Sequence, residues 1–164
     1  MERHNLTRSQ LACYLGVSPQ LVSVWYVRHS KPSAIVEHTV FLLELIERAM
    51  PEVHASLLAN LRPWSNPGDP DWLDRADAID RLVRRYRLND AALGIYLNVP
   101  LQTASQWVKR TRKSPIILNR TLYLLGLIEA FMPAFHKGVV HKAKYGKSIQ
   151  QELARRRKRN RLTD

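Results

Sequence analysis

Apolar residues recur along this chain at intervals of three and four, and almost nowhere do they alternate with polar ones for more than a few positions. That is the period of an α-helix, in which such residues share a face, so the pattern predicts an all-α fold. Thr7 with Gln10 three residues on is a capping-box pattern and opens the first helix. Leu11, Ala12 and Leu15 then fall on one face, and Gly16 ends the run. Ser18 followed by Pro19 pairs a capping residue with proline at the first helical position, opening a second helix whose Val22, Trp25 and Tyr26 can face inward. Two short helices therefore meet across a three-residue turn.

Sliding the sequence on itself by 82 residues, without a gap, pairs Arg3 to His54 with Arg85 to His136 and gives 21 identities in 52 positions. Chance would give on the order of three. Tyr14, Val17, Gln20, Ser23, Trp25, Arg28 and Lys31 meet Tyr96, Val99, Gln102, Ser105, Trp107, Arg110 and Lys113, and the helical block from Leu42 to His54 meets that from Leu124 to His136. Between the copies, LRPWSNPGDPDW breaks any helix with Pro63, Pro67, Gly68 and Pro70. The expected division is a first unit over 1–60, a linker over 61–70, a second unit over 71–136 and a basic tail over 137–164.

Three further helices are expected. Residues 72, 76, 79, 83 and 86 are apolar and share one face, with Asp71, Asp74, Asp77 and Asp80 toward the N-terminal end and arginines later. The helix dipole favours that order, and pairs such as Asp77 with Arg81 and Asp80 with Arg84 fit the i,i+4 rule. Ala34 to Met50 and Ile116 to Met132 read as long apolar helices, capped near Ser33 and Ser114 and stopped by Pro51 and Pro133. Ile35, Val36, Val40, Phe41, Leu42, Leu43, Leu45 and Ile46 exceed one stripe, so this helix is expected to pack on two sides. One side belongs to its own helix pair. The other meets the sister unit, a second chain, or the ordinary core of a single domain.

The segment LACYLGVSPQLVSVW at 11–25 resembles the helix-turn-helix of the Cro/repressor-type (XRE-like) transcription regulators of bacteria and phage. Ala12 is the small residue that lets the helices approach, Gly16 suits the left-handed turn, and Val17 and Val22 wedge the helices apart. LGIYLNVPLQTASQW at 93–107 keeps the pattern, with Gly94 at the small site and Asn98 at the turn. The resemblance implies that the second helix of each pair lies in the major groove of DNA. Base reading would then fall on Pro19, Gln20, Ser23 and Val24, and on Leu101, Gln102, Ser105 and Gln106. The glutamines stand out, because one amide can donate to N7 and accept from N6 of adenine. Phosphate contacts are implied at Arg8, Ser18, Arg28, His29 and Lys31, and at Lys109, Arg110, Arg112 and Lys113. Two departures stand against the family pattern. Only six residues precede Thr7, too few for the helix that normally leads the motif, and Asp90 takes the place of Arg8 in the second unit.

Charge sharpens this picture. The chain carries 26 Lys and Arg against 14 Asp and Glu, and of its net +12 the segment 137–164 holds +8. Residues 137–147 are expected to be flexible, and Ser148 with Gln151 offers a cap for a helix that places Arg155, Arg156, Arg157, Lys158 and Arg159 in its last turn. That tail reads as a DNA phosphate contact; a nuclear import signal or an RNA-binding arm share its composition. One cysteine, Cys13, makes no disulfide within the chain, and six scattered histidines show no metal-ligand spacing, so no metal and no cofactor is expected. No phosphate-cradling glycine loop or catalytic motif is present, so the chain is not expected to be an enzyme or to hold a small molecule. The longest apolar run, LYLLGLI at 122–128, stops at Glu129, and MERHNLTRSQ has no leader pattern, so a cytoplasmic, nucleoid-associated bacterial protein is expected.

These readings converge on a sequence-specific regulator of transcription that binds double-stranded DNA through two fused units in adjacent major grooves. Contact with a second copy or with RNA polymerase stays open. So do two alternatives, a non-sequence-specific architectural DNA binder driven by the tail, and an antitoxin-like protein-interaction module.

Overall fold

A computed structural model of the chain describes residues 6–28, 30–61 and 72–146, with Trp72 described by its backbone alone. Among these residues the fold is all helical, in the order α1 (Arg8–Leu15), α2 (Pro19–Arg28), α3 (Ala34–Ala49), α4 (Pro51–Ala59), α5 (Trp72–Tyr86), α6 (Asp90–Leu97), α7 (Leu101–Val108), α8 (Ile117–Phe131) and α9 (Pro133–Tyr145). The expected linker lies outside the described residues except for Leu61.

Local chemistry explains the helix boundaries of the first pair. Thr7 Oγ1 accepts from the Gln10 N–H at 3.3 Å while the Thr7 N–H donates to Gln10 Oε1 at 2.9 Å, closing the capping box. Gly16 then takes φ 70°, and its N–H satisfies the last carbonyls of α1. The second pair solves the same problem with different side chains. Asn89 caps α6 by accepting from the Ala92 N–H at 2.8 Å, and Asn98 takes the left-handed turn at φ 53°.

Five expectations are corrected. α3 does pack on its own half, through α1 and α4, and on the other half, through α8, but with fewer residues than expected: it buries Ile35, Val36, Thr39, Leu42, Leu43 and Ile46 and exposes Val40 and Phe41 along with Glu37 and Glu44. Neither α3, with 16 residues, nor α8, with 15, is a long apolar helix, and no helix among the described residues could cross a membrane. Pro51 and Pro133 do not end the helical structure; each occupies the first turn of a new helix, where its missing N–H costs nothing. The expected flexible stretch from 137 is helix α9, held because His136 and Ala143 are buried and Val139 and Val140 pack on the core. Ser114 does not cap α8, which starts at Ile117; its backbone carbonyl instead accepts from Arg75.

The halves meet through α3 and α8 and share one hydrophobic core, in which Val22, Ile46, Leu93, Leu118, Leu124 and Ile128 are fully buried. Thr39 and Thr121, matched residues of the repeat, touch each other with hydroxyl oxygens 2.8 Å apart. Further contacts come in exchanged pairs. Arg120 Nε donates to the Tyr14 carbonyl at 3.0 Å, and His38, the match of Arg120, faces the backbone of Tyr96, the match of Tyr14. Contacts in which i meets j and the copy of j meets the copy of i are the signature of a two-fold interface. Here both partners belong to one chain.

Candidate nucleic-acid interface

The second helix of each pair is exposed where the resemblance places base reading, but not every named side chain is free to reach out. Gln20 and Gln102 lie in the first turns of α2 and α7 and both are exposed. Val24 is 36% exposed, and beside it α2 shows Leu21 and Val27, the latter 74% exposed. Leu101 is exposed as well. Ser23 is half-buried and its hydroxyl donates to the Pro19 carbonyl at 3.0 Å, a common use of serine inside a helix. Ser105 and Gln106 are half-buried, and the Gln106 carbonyl collects the N–H of Thr111 at 3.0 Å, tying down the end of α7. Pro19 is half-buried at the start of α2.

The proposed phosphate contacts divide in the same way. Arg8, Arg28 and Lys31 are exposed around the first pair, the Arg8 guanidinium lying 5.5 Å from the centre of the Tyr26 ring. Ser18 is engaged locally, its hydroxyl accepting from the Leu21 N–H at 3.3 Å. Lys109, Arg112 and Lys113 are exposed after α7. Arg110 is already bound: one Nη2 donates to Asp77 Oδ1 at 2.7 Å and to Asp80 Oδ2 at 2.9 Å. The two aspartates thus pair across to the loop after α7 instead of along α5 to Arg81 and Arg84, and these bonds raise the Arg110 pKa above its ordinary value. His29 and the tail residues Arg155, Arg156, Arg157, Lys158 and Arg159 lie outside the described residues.

Several polar residues outside the expected DNA contacts hold this framework. Tyr14 hydroxyl and His54 Nε2 approach to 2.6 Å, and Tyr96 hydroxyl and His136 Nε2 to 2.7 Å, tying α1 to α4 and α6 to α9. All four residues are identical across the repeat, and that shared survival was the available signal. Burial lowers the His136 pKa and raises that of Tyr96, so the pair stays neutral. Arg75 is 2% exposed and donates from Nε and Nη2 to the Ser114 carbonyl, at 3.2 and 3.0 Å, fixing the entry to α8 against α5. No pattern could have marked it, since it reads as one more arginine on an amphipathic helix. Among the described residues no three His, Cys, Asp or Glu side chains are grouped to hold a metal ion. Cys13 is half-buried and free.

Comparison with protein-family models, with curated proteins and with solved structures found no match to this chain.

Proposed function

We propose that this chain is a transcriptional regulator that binds double-stranded DNA in a sequence-specific way, with α1–α2 and α6–α7 acting as two helix-turn-helix units fused in one polypeptide. The observation that carries the reading is the duplicated helix pair. Each copy has a left-handed residue at its turn, Gly16 or Asn98, and an exposed glutamine in the first turn of its second helix. The exchanged contacts across α3 and α8 support a pseudo-dimer, the arrangement by which such motifs read half-sites about 34 Å apart. Fusion raises the effective concentration of the second contact once the first has formed.

In this reading Gln20 and Gln102 each present a bidentate amide to adenine, a contact worth about 1–3 kcal/mol of discrimination. Val24 and Val27 of α2 meet thymine methyl groups, whereas the matched residues of the second half are Gln106 and Lys109. The two half-sites are accordingly unequal. Exposed basic residues near each pair set register on the phosphates without reading sequence. The protein acts by non-covalent binding, in the bacterial cytoplasm and on the nucleoid, with no cofactor.

The test is to bind the full chain to fragmented genomic DNA at about 0.2 M salt, where phosphate-only binding is largely suppressed. Retention of a few regions sharing two related half-sites is the expected outcome; uniform recovery or none refutes it. A second reading draws on the exposed Leu21, Val24 and Val27 of α2, an apolar stripe that a partner protein could cover. Co-purification of a stoichiometric second protein that competes with DNA would favour it.

A further inference from the structure

Arg28 and Arg110 are the same residue at matched positions of the repeat, and both come at or just beyond the end of the candidate reading helix. Their surroundings have diverged. Arg28 is exposed, and no carboxylate among the described residues is paired with it. Arg110 is held in the left-handed backbone region at φ 56°, and its guanidinium is shared by two carboxylates, Asp77 and Asp80. Those aspartates stand one turn apart on α5, which packs against α7. Oxygen acceptors set side by side on a guanidinium are what a DNA phosphate offers, and a carboxylate pair is the protein's nearest equivalent. A second change points the same way: at the start of the first helix of each pair, Arg8 in one half is Asp90 in the other. Cationic side chains at both places in the first half therefore stand against a bound arginine and an acid in the second.

We propose that the halves are unequal DNA-binding surfaces: α1–α2 carries the primary phosphate-binding face, and in the other half Asp77 and Asp80 occupy Arg110 in place of a DNA phosphate. The inference rests on the DNA-binding reading above and adds to it which half docks and what restrains the other. A phosphate that reaches Arg110 must displace two carboxylates that remain beside it. The second half therefore contributes less to affinity and less to its salt dependence, although its loop is the richer in cations.

The experiment measures the affinity of the full chain for a mixed-sequence DNA duplex over a range of salt concentrations. Each phosphate contact contributes a slope of about −0.9 in log K against log salt. Arg28→Ala is expected to weaken binding several-fold and to flatten the slope by about one such contact, while Arg110→Ala leaves both unchanged. Asp77→Asn with Asp80→Asn frees Arg110 and is expected to tighten binding and steepen the slope by a similar amount. The gain should vanish when Arg110→Ala is added, and Asp74→Asn, on the same helix but not bonded to Arg110, should not reproduce it. Equal losses from Arg28→Ala and Arg110→Ala overturn the proposal, as does an asparagine gain that survives without Arg110. Failure of the unaltered chain to bind the duplex at low salt is a different result and takes the DNA-binding reading down with it. Arg110→Ala decides the matter alone if the double asparagine variant does not fold.

Discussion

The contact between Thr39 and Thr121 is the most direct handle on the fused architecture. Both side chains are fully buried, and each hydroxyl also lies close to the carbonyl one turn back in its own helix, Thr39 to Ile35 at 2.8 Å and Thr121 to Ile117 at 3.1 Å. Two hydroxyl protons thus face three close approaches. One hydroxyl keeps its own carbonyl while the other donates across to it. Replacing Thr39 by Val swaps a hydroxyl for a methyl of similar size and removes the cross-helix bond, leaving Thr121 to its own carbonyl. The expected loss is about 1 kcal/mol, the net worth of one hydrogen bond, and Thr121→Val should cost the same. Changing both removes every polar atom that needs a partner, because Ile35 and Ile117 keep their helical N–H donors. The double variant should therefore cost less than the sum of the singles, with a coupling of about 1 kcal/mol. Urea unfolding of the full chain, read by tryptophan fluorescence, measures all three, and each 1 kcal/mol corresponds to roughly 2–4 °C in Tm. Strictly additive losses, or singles without effect, would refute a hydroxyl pair shared between the halves.

Other perturbations follow from the same geometry. Gly16→Ala meets two penalties, since alanine at φ 70° costs about 1–2 kcal/mol and its Cβ would lie 2.6 Å from Arg120 Cβ, so a thermal scan should show a loss beyond that of the backbone alone. Burial pushes the His38 pKa down to about 4 from 6.5. The unfolded chain therefore binds the proton first, stability falls as pH drops from 6.5 toward 4, and the lost share is about 3 kcal/mol. His38→Gln should flatten that limb of a pH series of denaturation midpoints, and an unchanged limb would count against the burial argument. Tyr96→Phe leaves His136 Nε2 buried without its partner and is expected to cost about 1–3 kcal/mol in urea unfolding, with Tyr14→Phe costing a similar amount through His54.

The duplication and the helix pairs were legible in one dimension because their causes are local. Thr7 and Gln10 satisfy backbone groups three residues apart and Gly16 accepts a left-handed turn, so spacing placed α1 and α2, and the repeat carried the same boundaries to α6 and α7 with Asn98 at the turn. The exposed Gln20 and Gln102 belong to the same level, being consequences of helix phase. Helix α9 was missed for the opposite reason. Gly138 and adjacent valines are poor helix formers in isolation, and only the burial of His136 and Ala143 outweighs that.

What the amino-acid order settled by itself was the all-helical class, the repeat, and the residues available at each turn and helix face. The tertiary structure decided which of those residues are already spent. Ser23 turns back to its own helix, Arg75 enters the core to hold Ser114, and Arg110 goes to Asp77 and Asp80 while Arg28 does not. Helix periodicity is set by neighbours three and four residues away, whereas a charge finds its partner through space. Arg110 and Asp77 are 33 residues apart, and nothing in the spacing of either marks the other.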